Sequence, residues 1–216
     1  MKFKGVIFDL DGTLVDSLED IADSMNKILQ RYDFPSHELS AYKYFIGNGI
    51  KNLVQEALPA AITDEESILK YFSLMMEEYR KNCTNKTQLY DGIEELLKEL
   101  TSREMKLAVL SNKVDELTKK VVLTKVSNWN FEAVIGTSSE IPRKPNPFGA
   151  LLVCRQLGIS PENIIYVGDT SVDMQAANNA GAYAAGALWG YRTKEELVSN
   201  GAQYLLTHPL DLINIL

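Results

Sequence analysis

Two carboxylates one residue apart, Asp9 and Asp11, follow directly on the apolar run Val6-Ile7-Phe8 and precede a Gly12-Thr13 turn. Residues two apart on an extended strand point the same way. A strand ending here therefore aims both acids at one point. Folding gains nothing from that, because close carboxylates oppose one another's ionisation. A hard divalent cation such as Mg²⁺ removes the conflict: it takes oxygen ligands, commonly one or two carboxylates together with a substrate phosphate. Taken alone, the same residues also read as a strand end followed by an acidic turn.

Three later stretches carry matching chemistry. Val109-Leu110 runs into Ser111-Asn112, a hydroxyl and an amide ahead of a helix start. Side-chain donors, backbone N–H groups and a helix dipole there suit a phosphate oxygen, although either residue would also serve as a plain N-cap. In Pro142-Arg143-Lys144-Pro145-Asn146-Pro147 the prolines hold an extended turn. Lys144 is then either a placed cation, able to balance phosphate and acidic side chains, or part of a solvated basic loop. Val167-Gly168-Asp169 closes another run, with Asp173 four residues on, about one helical turn away. These two acids would complete a metal site with Asp9, or act as a helix cap and an exposed first-turn acid. Each bland reading stands singly; their coincidence at four consecutive strand ends does not.

The elements that must position these groups follow from periodicity. Short apolar runs lie at residues 3–8, 107–110, 133–135, 164–167 and 182–188, with a weaker one at 204–206. Between them apolar residues recur at helical spacing: Ile93, Leu96, Leu97 and Leu100; Val114, Leu117 and Val121; Ala150, Leu151, Cys154 and Leu157; Met174 and Ala177. Strands alternating with helices predict an α/β fold, a doubly wound parallel sheet with helices on both faces.

One region breaks the alternation. From the first strand to Ile93 the pattern is helical: Leu18, Ile21, Ala22, Met25, Ile28 and Leu29, then Ile68, Tyr71, Phe72, Met75, Met76 and Tyr79. Thr63-Asp64-Glu65-Glu66 reads as a capping box for the later helix. The expected organisation is a core of residues 1–15 and 88–216 and a small helical cap domain at 16–87. Ligands bind at the carboxyl edge of open α/β sheets, so the insertion is expected to cover the acids as a mobile lid.

Composition limits the partners. The chain has 216 residues, 45% hydrophobic and 24% charged, with net charge -7. An acidic surface without a Lys/Arg block argues against nucleic acid. No stretch approaches a membrane span, and the first apolar run is broken too early for a signal peptide. The two cysteines, Cys83 and Cys154, make neither a disulfide framework nor a zinc site, which favours a reducing compartment. A cytoplasmic monomer or homodimer acting on a small molecule is expected.

With its motifs Asp9-Leu10-Asp11-Gly12-Thr13-Leu14, Leu110-Ser111-Asn112, Lys144-Pro145 and Gly168-Asp169 with Asp173, the chain resembles the haloacid dehalogenase superfamily phosphatases. Within that superfamily it looks most like the phosphoglycolate phosphatase group, through Val15-Asp16-Ser17, Ile46-Gly47-Asn48-Gly49, Lys144-Pro145-Asn146-Pro147 and Leu188-Trp189-Gly190-Tyr191. The resemblance implies a Rossmann-like core and hydrolysis of a small phosphate monoester. Asp9 would be the nucleophile, forming an aspartyl-phosphate, and Asp11 the general acid and base. Gly12, Thr13, Ser111, Asn112 and Lys144 would surround the phosphate. Mg²⁺ would be held by Asp9, the Asp11 carbonyl and Asp169, with Asp173 behind them. In the cap, Lys43, Gly47, Asn48, Gly49 and Lys51 would meet the leaving group.

Other substrates fit the same motifs: a sugar phosphate, pyrophosphate, or the substrate of a β-phosphoglucomutase-like enzyme. A receiver-like signalling module also clusters Asp, Ser or Thr and Lys on such a sheet, but it lacks the helical insertion and places its acid pair elsewhere.

Overall fold

The computed structural model describes residues 2–216. The chain divides into two compact units, Met1–Asp16 with Leu89–Leu216, and Ser17–Gln88. In chain order, β1 (Gly5–Phe8) and the short β2 (Val15–Asp16) lead into α1 (Leu18–Arg31), α2 (Leu39–Phe45), α3 (Ile50–Ala57) and α4 (Glu65–Asn82). The return strand β3 (Gln88–Leu89) precedes α5 (Ile93–Ser102), β4 (Lys106–Val114), α6 (Asp115–Lys125) and β5 (Phe131–Thr137). Then come α7 (Phe148–Leu157), β6 (Ile164–Gly168), α8 (Ser171–Ala180), β7 (Tyr183–Ala187), α9 (Lys194–Ser199) and β8 (Tyr204–Leu206).

The larger unit is built on a six-stranded sheet in the order β5-β4-β1-β6-β7-β8, parallel throughout. Counting only these strands, the third, second and first lie on one side and the fourth, fifth and sixth on the other, the order of dinucleotide-binding folds. The chain reverses direction of growth at β1, between β4 and β6. That is the crevice where such sheets bind ligands. One face of the sheet, with Ala108, Ile7, Tyr166 and Ala184 in register, packs on Val153, Cys154 and Leu157 of α7 and Met174 and Ala177 of α8. Val6, Phe8, Val109 and Val167 face the other way and are equally buried. Burial on both faces explains why these strands read as apolar runs rather than alternating ones.

The helical unit consists of α1 to α4, with α4 packed against α1 and α3. Its interior holds Ile21, Met25, Leu29, Met75 and Tyr79, from the stripes expected by spacing, and also Leu53 and Val54 of α3. The start of α4 differs from expectation. Asp64, not Thr63, is the cap, and its carboxylate accepts from the Ser67 N–H at 2.8 Å. Gly47-Asn48-Gly49 connects α2 to α3, with φ of 116° at Gly47 and 86° at Gly49. No helix among the described residues is long and apolar enough to cross a membrane.

A buried acid closes the helical unit on itself. Asp20, in the first turn of α1 and 3% exposed, accepts from the backbone N–H groups of Lys86 (2.9 and 3.0 Å) and Thr87 (2.8 Å) and from the Thr87 hydroxyl (2.7 Å). The beginning and end of the unit are thereby tied together by one side chain. Asparagine offers one acceptor where aspartate offers two and turns an N–H₂ toward donors. Asp20→Asn should therefore destabilise the protein by about 2–3 kcal/mol, read as a lowered urea midpoint; an unchanged midpoint would show the clasp to be dispensable.

Candidate active site

The first strand sets the origin of the site. All four residues of β1 are buried, and pairing continues one step further, with the Asp9 N–H donating to the Val167 carbonyl at 2.9 Å. The chain then folds back. The Leu10 carbonyl accepts from Thr13, Leu14 and Val15, and the Gly12 N–H donates to Val15. Gly12 has φ of +87°, and a Cβ there would run into the Asp169 carboxylate. Only glycine satisfies both the positive φ and the close approach.

Around this turn four acids and two lysines gather in a largely dry volume. Carboxylate oxygens of Asp9, Asp169 and Asp173 lie within 4.8 Å of one another, and Asp169 and Asp173 are wholly buried. Lys144, 5% exposed, reaches Asp9 Oδ1 at 2.8 Å, Asp173 Oδ1 at 2.6 Å and the Leu110 carbonyl at 3.2 Å. Lys113, also 5% exposed, meets Asp11 Oδ1 at 2.5 Å.

Burial and the neighbouring Asp173 charge push the Asp9 carboxyl up to about 7 against the opposing pull of Lys144. Burial, with Asp173 and Asp9 beside it, holds Asp169 well above the ordinary carboxylate range. Burial works against the Lys144 ammonium, but the charges of Asp173 and Asp9 outweigh it and keep its pKa well above the usual lysine value.

Each partner is held from behind. The Asn112 side chain accepts from the Lys144 N–H (2.8 Å) and donates to the Lys144 carbonyl (3.2 Å), so it fixes the backbone that presents the lysine. Asp169 accepts from the Thr13 hydroxyl (3.0 Å) and the Tyr191 N–H (2.8 Å). Trp189 Nε1 donates to the Thr13 carbonyl at 3.0 Å. Asp173 Oδ2 accepts from the Thr170 N–H (3.0 Å) and hydroxyl (2.6 Å), the first of these being one half of the capping box that starts α8. The Tyr166 hydroxyl donates toward the Leu110 carbonyl at 3.2 Å.

The structure brings Asp9, Asp11, Ser111, Lys144, Asp169 and Asp173 to one edge of the core. Three residues expected around a phosphate also make bonds within the protein: the Gly12 N–H with Val15, the Thr13 hydroxyl with Asp169, the Asn112 side-chain amide with Lys144. These bonds help fix the shape of the site. Ser111 and Asn112 do not start a helix, since β4 continues to Val114 before α6 begins. Asp173 is neither exposed nor distant: Lys144 and Thr170 occupy its two oxygens. The Asp11 carboxylate is paired with Lys113, which leaves its backbone carbonyl as the ligand it could offer a metal.

Lys113 itself escaped the sequence reading. The available signal was nearness in sequence: Lys113 lies two residues beyond Ser111, and its N–H donates to the Ser111 oxygen. In the helical unit, Lys43 lies exposed on α2, Gly49 caps α3, and Lys51 is ion-paired to Glu65 at 2.5 Å. Asn48 is exposed in the connection between them. The Lys51 pairing was not anticipated.

The donor set fits a hard divalent cation. Every group is a carboxylate or carbonyl oxygen, and the four carboxylates outnumber the two lysines by two.

Comparison with known proteins agrees. Residues 6–187 match the family model described as haloacid dehalogenase-like hydrolase. The chain is 33% identical over 211 residues to a phosphoglycolate phosphatase of Aquifex aeolicus, covering 98% of this chain and 95% of that one. It is 31% identical over 223 residues to a phosphoglycolate phosphatase of Mannheimia succiniciproducens, covering 99% and 98%. Among solved structures, one described as a predicted phosphoglycolate phosphatase from Haemophilus somnus superposes with a TM-score of 0.91 at 28% identity, covering 100% of this chain and 98% of that chain. With the doubly wound sheet, the acidic edge and a family match spanning most of its length, the chain belongs to the haloacid dehalogenase-like hydrolases.

Proposed function

We propose that the protein is a Mg²⁺-dependent phosphatase of small phosphate monoesters, with phosphoglycolate as the favoured substrate, working through a phosphorylated Asp9. The observation that carries the reading is the buried Asp9 with Lys144 2.8 Å away. An anionic nucleophile must approach an anionic phosphoryl group, and a fixed ammonium at that point lowers the repulsion. The phosphoglycolate phosphatase relatives supply the substrate class.

In this reading Asp9 attacks phosphorus and the ester oxygen leaves toward Asp11, which protonates it and then takes a proton from the water that cleaves the acyl phosphate. Acid–base help of this kind is worth roughly 10²–10⁴ in rate. Ser111, whose oxygen accepts from the Lys113 N–H at 3.2 Å, turns its hydroxyl hydrogen to a phosphate oxygen. Lys144 holds a second oxygen. Asp9, the Asp11 carbonyl and Asp169 would hold Mg²⁺, with Asp173 orienting Lys144 behind them. When bound, the ion offsets the negative charge of the carboxylates and of the transferring phosphoryl group. The helical unit would serve as a cap, its Gly47-Asn48-Gly49 connection offering backbone N–H groups to the leaving group and its Lys43 charge nearby.

Chelation should abolish phosphate release and Mg²⁺ restore it. Mg²⁺ should also raise the melting temperature of the wild-type protein, since it binds the folded state alone. That rise should vanish in Asp169→Asn; equal shifts in both would remove the metal assignment. Asp9→Asn should keep the fold and lose at least about 10³-fold in turnover, because an amide cannot replace the attacking carboxylate. Phosphate trapped on another residue would overturn the nucleophile.

In the cap, Gly49→Val forces a β-branched residue to a φ of 86°. Small phosphate esters, charged or neutral, should lose about tenfold or more in kcat/KM while an aryl phosphate loses much less. Equal loss on all substrates would make the connection a turn and nothing more.

A further inference from the structure

The ammonium nearest Asp11 has a position that the phosphoryl chemistry does not require. Lys144 already faces the nucleophile and the acids behind it. Lys113 is a second, separate cation. Its side chain is 2% exposed and its Nζ lies 2.5 Å from Asp11 Oδ1. Its backbone is held on both sides: the N–H donates to Ser111 Oγ, and the carbonyl accepts from the hydroxyls of Thr118 (3.2 Å) and Thr137 (3.4 Å). A lysine so placed presents its charge at one fixed point.

In the reaction proposed above, that point would lie on the leaving-group side. In phosphoryl transfer the attacking and leaving oxygens lie roughly in line on opposite sides of phosphorus. If Asp9 attacks and Asp11 protonates the departing oxygen, a cation in contact with Asp11 borders the departing alcohol. A neutral alcohol has no use for it. An alcohol carrying a carboxylate would bring a negative charge into this poorly solvated corner, where a fixed ammonium offsets it more strongly than it would in bulk water. Stability is a weak explanation for the pair, because a buried ion pair is often no more stabilising than a well-packed apolar side chain.

We propose that Lys113 is a specificity-determining residue, the cation that admits phosphate esters whose leaving alcohol bears a carboxylate close to the ester oxygen. This rests on the reading of Asp9 and Asp11 given above. It assigns discrimination by charge to the core unit itself. The helical unit would then contribute closure around small esters and, through the exposed and more weakly acting Lys43, a lesser charge, while the Lys51 ammonium is taken up by Glu65.

The test compares two esters of the same length with Mg²⁺ present: phosphoglycolate, and 2-hydroxyethyl phosphate, in which a hydroxymethyl group replaces the carboxylate. Wild type should prefer phosphoglycolate by about tenfold or more in kcat/KM. Lys113→Met should lose about 30-fold or more on phosphoglycolate, largely through KM, and only a few-fold on the neutral ester. Lys113→Arg should keep most of the preference.

Equal losses on the two esters would reduce Lys113 to a support for Asp11 and overturn the proposal. So would a wild-type enzyme without the preference. Circular dichroism checks the variant's fold. Should Lys113→Met fail to fold, inhibition of wild-type aryl phosphate hydrolysis decides: glycolate should compete at least about tenfold better than ethylene glycol, and equal potency would sink the idea. Absence of phosphate release from every ester tried would instead mark the failure of the phosphatase reading, on which this one stands.

Discussion

The structure is organised around one electrostatic conflict: four carboxylates brought to a dry sheet edge with only two ammonium groups among them. Desolvation alone raises the cost of each charge, and proximity raises it further. The fold tolerates the arrangement because almost every oxygen has a donor. Thr13 and Tyr191 serve Asp169, Thr170 serves Asp173, Lys144 bridges Asp9 and Asp173, and Lys113 holds Asp11. Burial first, and the Asp173 charge after it, still push the Asp9 carboxyl up to about 7. A divalent cation held there would offset that cost.

The sheet topology is what makes the gathering possible. β1 sits between β4 and β6, so the residues at the ends of three adjacent strands converge. Asp9 follows β1, Ser111 and Lys113 lie on the last residues of β4, where its pairing with β5 shifts register, and Asp169 follows β6. Glycines make the convergence tight. Gly12 leaves room for the Asp169 carboxylate, and Gly168 leaves room for Asp173. The long loop carrying Lys144 reaches the same point because Asn112 grips its peptide groups.

The two lysines divide the site chemically. Lys144 touches the residue that would attack phosphorus, whereas Lys113 touches the residue that would protonate the leaving oxygen. In the proposed reaction each end of the in-line displacement would have a fixed cation. The first would serve any phosphate ester, and the second would let the core discriminate among leaving groups.

Periodicity and motif spacing were enough to find the parallel α/β core, and they singled out acids and a lysine that the fold brings to one sheet edge. Those properties are local: a buried parallel strand reads as an apolar run, and a polar residue at its carboxyl end stands out against it. Second roles were not local. The Asn112 amide, the Thr13 hydroxyl and the Gly12 N–H all looked suited to a phosphate, and only the folded chain shows them bonded to Lys144, Asp169 and Val15. Lys113 was hidden for the same reason. A lysine beyond an apolar run is ordinarily solvated, and its value came from Asp11, 102 residues away in sequence. Side-chain type and spacing determine which groups can do chemistry; tertiary packing decides which of their hydrogen-bonding and charge capacities are already spent on one another.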